Sequence, residues 1–216
     1  MQIAFFWLAM QYGMSMLFVG GTASGKTTSL NACSLFLPWQ HKIVSIEETR
    51  ELNLPHPNWI PGCTRQGFGG EGSATGGKAA GEVDMYDLLR AALRERPEYI
   101  IVGEIRGEEA YVLFQAMATG HTTYSTFHAD SIQSLVHRLE NKPIEIPRVL
   151  IPALDGISIQ IQTRVGGKRV RRNKAIVEII GIDPHSHELL TNEAFRWDNT
   201  IDEYLFTGKS YIFEKI

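Results

Sequence analysis

The segment GGTASGKT at residues 20–27 contains the pattern G-x-x-x-x-G-K-[ST], with Gly20, Gly25, Lys26 and Thr27 at the fixed positions. Small residues there let consecutive backbone N–H groups wrap a chain of phosphates, and a helix starting at the lysine adds favourable partial charge. Lys26 would reach the terminal phosphates and the Thr27 hydroxyl would ligate a magnesium ion. An incidental glycine turn is the competing reading. The apolar run SMLFVG before it and the helical stretch after it supply the context that the phosphate reading requires. The residues assigned to phosphate binding are Gly20, Gly21, Thr22, Ala23, Ser24, Gly25, Lys26, Thr27 and Thr28.

Hydrolysis also needs an acid to orient water and cations to stabilise the transferring phosphoryl group. Residues 99–107 read YIIVGEIRG, a strand that ends on Gly103 and Glu104. Many nucleotide hydrolases end such a strand on aspartate, so the metal-holding acid must come from elsewhere. Glu47 and Glu48 end the strand KIVSIEE, and in open α/β sheets ligands sit beyond the carboxyl ends of strands. Glu47, Glu48 and Glu104 are therefore expected to converge on one magnesium-bearing site, with a solvated strand end as the competing reading for the pair. A glycine before Glu104 leaves room for close approach of a ligand or another backbone. Arg90, Arg94, Arg96 and Arg106 surround the same strand and are candidates for transition-state cations, including supply to a neighbouring subunit. His121 precedes, and His128 follows, the strand TTYSTF. A histidine at that strand end could donate to the γ-phosphate, while a buried structural role is an equal reading of His121.

The elements that must position these residues follow from the hydrophobic pattern. Strands are expected at 15–20, 42–48, 99–104 and 122–127, and helices over KTTSLNACSLFL, DMYDLLRAALRER and EEAYVLFQAMAT and from near Asp130. The alternation implies an α/β layer with a mostly parallel sheet. Asp84 caps the second helix, with Met85, Leu88, Leu89 and Ala92 as its apolar stripe. Between the second and third strands lies a polar connection with Pro55, Pro57 and Pro61. It runs into GFGGEGSATGGKAAG, which reads as a mobile surface loop with no strand leading into it and no phosphate role. Beyond Pro152 the pattern changes to a hairpin around Gly166–Gly167, then a short amphipathic helical tail. Alternation in KRVRRNK (168–174) sends Lys168, Val170, Arg172 and Lys174 to one face and Arg169, Arg171 and Asn173 to the other; a solvated edge strand explains the run as well as a binding surface does.

Composition adds limits. The chain has 216 residues, 44% hydrophobic and 21% charged, enough for one large domain. A formal net charge of −3 gives no global basic excess, so nucleic acid is not an expected partner. Cys33 and Cys63 have no metal-ligand or redox spacing, which argues for reduced thiols and against zinc. IAFFWLAM lacks a basic flank and a cleavage site, and it falls short of the ~20 residues a spanning helix needs. Ile3, Phe6, Trp7 and Met10 follow helical spacing and read as the buried face of a core helix. A chain opening on a core helix suggests further sequence upstream.

Together GGTASGKTTSLNA, IEETRELNLPHPNWIP, LRERPEYIIVGEIRGEEA and ATGHTTYSTFHADS resemble, in this order, the type II/type IV secretion and filament-assembly ATPases, with wording nearest the archaeal branch that includes the archaellum motor. The resemblance covers nearly the whole chain. It implies a RecA-like P-loop NTPase core, ATP and Mg²⁺ as cofactors, and a hexameric ring acting with a membrane platform protein. Cytoplasmic placement, peripheral to the membrane through partners, comes with it. Glu47 to Glu51 match an acidic box, Glu48 standing where aspartate is common, and Glu51 joins the catalytic candidates. Glu104 matches the Walker B glutamate. His128 is the better match to the histidine near the γ-phosphate, and Arg90 and Arg94 fall where arginines reach towards nucleotide. Residues 1–216 would form the C-terminal ATPase domain alone, with the P-loop core to about residue 152 and the hairpin and tail over 153–216. The resemblance implies a fragment or truncated member without the family's usual N-terminal domain, and the lack of the four-cysteine zinc module of many bacterial assembly ATPases favours the archaeal-type branch. The implied function is a ring motor for secretion or for a pilus-like filament. A nucleic-acid translocating motor and a nucleotide-dependent interaction module without turnover are the alternatives.

Overall fold

The computed structural model describes residues 1–67 and 79–216. Helix α1 (Gln2–Gln11) leads into strand β1 (Met16–Gly20), then α2 (Lys26–Ser34), β2 (Ile43–Glu47) and β3 (Trp59–Cys63). Next come α3 (Met85–Arg94), β4 (Tyr99–Glu104), α4 (Glu109–Ala118), β5 (Thr122–Phe127) and α5 (Ile132–Glu140). The C-terminal part holds β6 (Gly156–Val165), β7 (Lys168–Ile182), β8 (Leu189–Asp198), β9 (Glu203–Phe206) and α6 (Tyr211–Lys215). The nine strands among the described residues form one sheet in the order β3-β2-β4-β5-β1-β6-β7-β8-β9, parallel from β3 to β6 and antiparallel beyond.

Both faces of the parallel part are covered, so its strands are apolar on both sides. Leu17 and Val19 of β1 join Val44, Ile46, Ile100 and Val102 in a core under α3 and α4. Met16 and Phe18 point the other way, with Ile43, Tyr99 and Ile101, into a core under α1 and α2. Asp84 closes a capping box with Asp87 at the start of α3, a device worth about 1 kcal/mol.

Three elements differ from the sequence reading. Residues 59–63 pair with β2 even though Pro61 lies among them, because β3 is the outer strand and proline is tolerated at a sheet edge. A strand therefore ends at Cys63, shortly before the glycine-rich stretch, most of which lies outside the described residues. The hairpin at Gly166–Gly167 is present, but the chain adds β8 and β9 before the short helix α6. In α1 the buried residues are Phe5, Phe6, Ala9 and Met10, whereas Ile3 and Trp7 are exposed. The helix is apolar nearly all round, so spacing could not select a face, and contact with Phe18 and Phe195 did.

Candidate nucleotide site

The phosphate loop leaves the carboxyl end of β1 and enters α2 at Lys26. Gly25 caps that helix at φ 97°, in the left-handed region where a side chain would be strained. Ser24 Oγ donates to Gly21 O at 2.8 Å, folding the loop on itself, and Lys26 Nζ donates to the same carbonyl at 3.1 Å. Burial lowers the Lys26 pKa, with Arg106 adding to the fall while Glu104 and Glu51 oppose it.

A cavity of about 180 Å³ opens beside the loop, and Glu47, Glu48 and Glu104 all line it, with Lys26, Thr27, Glu51, Gly103 and Arg106. Glu47 is 1% exposed, and its Oε1 accepts from the backbone N–H groups of Glu51 at 2.9 Å and Leu52 at 3.0 Å. Its Oε2 is buried and has no partner among the described residues, a costly state for a carboxylate unless a cation or donor completes it. Glu48, one residue on, is exposed and pairs with Arg106 Nη1 at 3.2 Å. The two strand-end carboxylates thus do different things: Glu47 enters the site and Glu48 stays on its rim.

Gly103 makes this arrangement possible. A Cβ there would sit 3.2 Å from Glu47 Cγ, so the glycine gives Glu47 its space. The β4–β5 register also shifts at this point: Val102 faces Ser125, whereas Glu104 faces Thr126. Gly103 is the extra residue of a β-bulge, held by Thr126 Oγ1 donating to its carbonyl at 2.7 Å. The bulge re-aims Glu104 into the cavity. There Arg106 donates to Glu104 from Nε at 3.1 Å and also from Nη2. This pairing raises the Arg106 pKa further, the hydrogen bond to Glu104 being the main cause. With Arg106 62% exposed, the pair is worth about 1 kcal/mol or less, so an incoming ligand can exchange it.

His128 follows β5 and its Nε2 lies 3.0 Å from Thr22 Oγ1, on the phosphate loop itself. His121 lies at the other end of β5, remote from the loop, with a buried Nδ1. Arg90 lies over the ring of Tyr86 on α3. Arg94 is in the last turn of α3, next to Glu95, whose carbonyl accepts from Lys42 just before β2 starts. That is the amino end of the parallel strands, so the structure does not bring Arg94 to the cavity. Two participants were not among the sequence candidates. One is Thr126; the other is Arg171, which reaches from β7 to donate from Nε to Ala23 O at 2.8 Å. Nothing in the sequence said that β6 pairs with β1, which places the basic hairpin beside the loop.

A mostly parallel α/β sheet with a phosphate loop after β1 and carboxylates on neighbouring strand ends defines a RecA-like P-loop protein. The family model described as type II/IV secretion system protein matches residues 5–199, and the chain belongs to that family. It is 47% identical over 214 residues to the uncharacterized protein MJ1287 of Methanocaldococcus jannaschii, covering 99% of this chain and 76% of the relative. It is 37% identical over 177 residues to the type IV secretion system protein PtlH of Bordetella pertussis, covering 76% of this chain and 50% of PtlH. Among solved structures, the VirB11 ATPase of the Brucella suis type IV secretion system, in complex with sulphate, is similar at TM-score 0.63. That match has 27% identity and covers 79% of this chain and 50% of VirB11. The pilus retraction motor PilT with bound ADP is similar at TM-score 0.57 and 27% identity, over 84% of this chain and 51% of PilT. The chain thus spans about half the length of PtlH and of both solved relatives.

Proposed function

We propose that this chain is the ATP-hydrolysing domain of a ring motor that powers protein secretion or assembly of a type IV pilus-like or archaellum filament. The observation that carries the reading is the common cavity: Lys26 and Thr27 line it together with Glu104 and buried Glu47, whose Oε2 has no partner among the described residues. These donors suit Mg²⁺, a hard ion that takes few protein oxygens and completes its shell with water and substrate phosphates. Among the described residues no group of three or more His, Cys, Asp or Glu could hold a metal without such help. Thr27 would hold the ion directly, and Glu47 and Glu104 through water; when bound, it would neutralise charge on the phosphate oxygens.

The chain's own residues then divide the work. Backbone amides from Gly21 to Thr27 and the α2 N-terminus hold the phosphates, and Lys26 exchanges Gly21 O for a terminal phosphate oxygen. Glu104, released from Arg106, orients the attacking water and accepts its proton. Glu47, anchored through Oε1 by two backbone donors, would offer its other oxygen to the water shell of the ion. His128, beside Thr22, donates to the γ-phosphate end. Arg94, which lies away from this cavity, and Arg90, exposed on the same helix, would serve a neighbouring subunit of a homo-oligomeric, hexameric ring. No helix among the described residues is long and apolar enough to cross a membrane. A cytoplasmic motor docked on a membrane platform protein fits that observation. The test is nucleotide-dependent phosphate release. Lys26→Ala abolishes nucleotide binding, and Glu104→Gln keeps binding while lowering turnover about 100-fold or more. Unchanged release by either variant would sink its assigned role, and tight ATP binding without ADP formation would favour an interaction module instead.

A further inference from the structure

The carboxylate cavity adjoins a second cavity of about 190 Å³, which shares Lys26, Thr27 and Glu51 with it and is otherwise walled by residues 23–25, Thr28 and Arg171. The first cavity holds Glu47 and Glu104 and suits the metal-bearing end phosphates. The second reaches Thr28 at the start of α2, and among the described residues that wall it the side-chain cations are Lys26 and Arg171.

Arg171 arrives there because of the sheet. Strand β1 pairs with β6 from Gly156 to Gln160, and β6 continues through residues 161–165, roughly 16 Å past the end of β1. The hairpin therefore stands over the phosphate loop, and Gln162, opposite Arg171 in the ladder, sets its register. Arg171 is exposed, its Cδ would lie 3.4 Å from a Cβ at Gly25, and its Nε donates to Ala23 O. Both Nη groups are without a partner among the described residues. Its neighbour Arg172 turns the opposite way into a two-bond pair with Asp202, at 2.7 and 2.6 Å, which fixes the β7 backbone.

We propose that Arg171 is a nucleotide-binding residue that clamps the α-phosphate from the hairpin side. The proposal rests on the nucleotide reading above. A guanidinium presents a planar fork to phosphate oxygens and swaps one carbonyl acceptor for a charged one, so the exchange is favourable on charge alone. Because the residue comes from β7, the clamp ties the C-terminal strands to the ligand.

The experiment compares binding of Mg·ADP and inorganic phosphate by calorimetry to the wild-type chain, Arg171→Gln, Arg171→Lys and Lys26→Ala. Arg171→Gln is expected to weaken ADP about tenfold to 100-fold while changing inorganic phosphate, which lacks the second phosphoryl group, less than threefold, with Arg171→Lys recovering part of the loss. Unchanged ADP affinity in Arg171→Gln, with binding lost in Lys26→Ala, overturns the clamp and leaves the nucleotide reading standing. Equal losses for ADP and inorganic phosphate mean that Arg171 only holds the loop through Ala23, which also overturns it. A wild-type chain that binds neither ligand overturns both readings.

Discussion

Replacing Gly103 by alanine tests the feature that lets Glu47 into the site. The new Cβ would lie 3.2 Å from Glu47 Cγ, 3.6 Å from its Cβ and 3.7 Å from its Cα. The first distance is a few tenths of an ångström too short, and Glu47 has little freedom to recede. Its side chain is 1% exposed and its Oε1 is held at 2.9 and 3.0 Å by two backbone N–H groups. Overpacking of this kind costs about 1–3 kcal/mol. The φ of Gly103 lies outside the left-handed region, so alanine adds no backbone strain and restricts the unfolded chain by about 0.4–1 kcal/mol. The net expectation is a loss of about 1 kcal/mol, or roughly 2–4 °C in Tm. A double-mutant cycle by urea unfolding isolates the contact, since Glu47→Ala removes the Cγ that is struck. In that background Gly103→Ala should become neutral or stabilising, a coupling of about 1–2 kcal/mol. An equal destabilisation with and without the Glu47 side chain would refute the reasoning, because the clash would then lie elsewhere.

Two further outcomes concern the C-terminal strands. Glu178 is 1% exposed and accepts from Tyr211 N at 2.8 Å, Ile212 N at 3.1 Å, Asn192 Nδ2 at 2.8 Å and Ser210 Oγ, so it fastens α6 to β7. Glu178→Ala should cost about 3 kcal/mol and release the amide protons of residues 211–216 to faster hydrogen exchange; unchanged exchange there would mean that α6 is held by other contacts. Asp202 is pulled from its ordinary 3.8 to about 2, first by hydrogen bonds from Arg172 and then by Trp197. A depressed folded-state pKa gives stability that is complete above about pH 4 and lost as pH falls towards 2. Acid unfolding of Asp202→Asn should therefore show a shallower pH dependence in that window, and an identical acid limb would remove Asp202 from the account.

Much of the fold was legible because local signals agreed. The phosphate loop, the YIIVGE strand, the Asp84 cap and the hairpin at Gly166–Gly167 each combine a period with a breaker at its end. Where a local rule admitted two answers, the sequence chose poorly. Pro61 argued against a strand, yet an edge position accepts it. Apolar residues on every side of α1 left its buried face to tertiary contacts. The KRVRRNK alternation correctly separates Arg171 from Arg172, but pairing between β6 and β1 is what decides which face meets the loop. That pairing joins residues 140 positions apart, as the Asp155 carboxylate on Ser15 N–H also does, and no short pattern encodes it.

The acid that seemed to be absent from β4 shows how such long-range choices settle a site. Glu47 and Glu48 were equivalent as strand-end carboxylates, and alternation alone puts only one of them on the inner side of the sheet. That Glu47 is the inner one follows from register, since Ile46 pairs with Val102 and the next residue of β4 is Gly103. With any side chain at Gly103, Glu47 would meet it; with none, the carboxylate occupies the space, and its second oxygen stays buried without a partner among the described residues. The same glycine is the bulge residue that turns Glu104 inward. One small residue therefore positions two acids on adjacent strands, and an aspartate at Gly103 would compete with Glu47 for a single volume. The division of acids between β2 and β4 is in that sense a packing requirement, and it explains why substituting Gly103 should disturb Glu47 before it disturbs anything else.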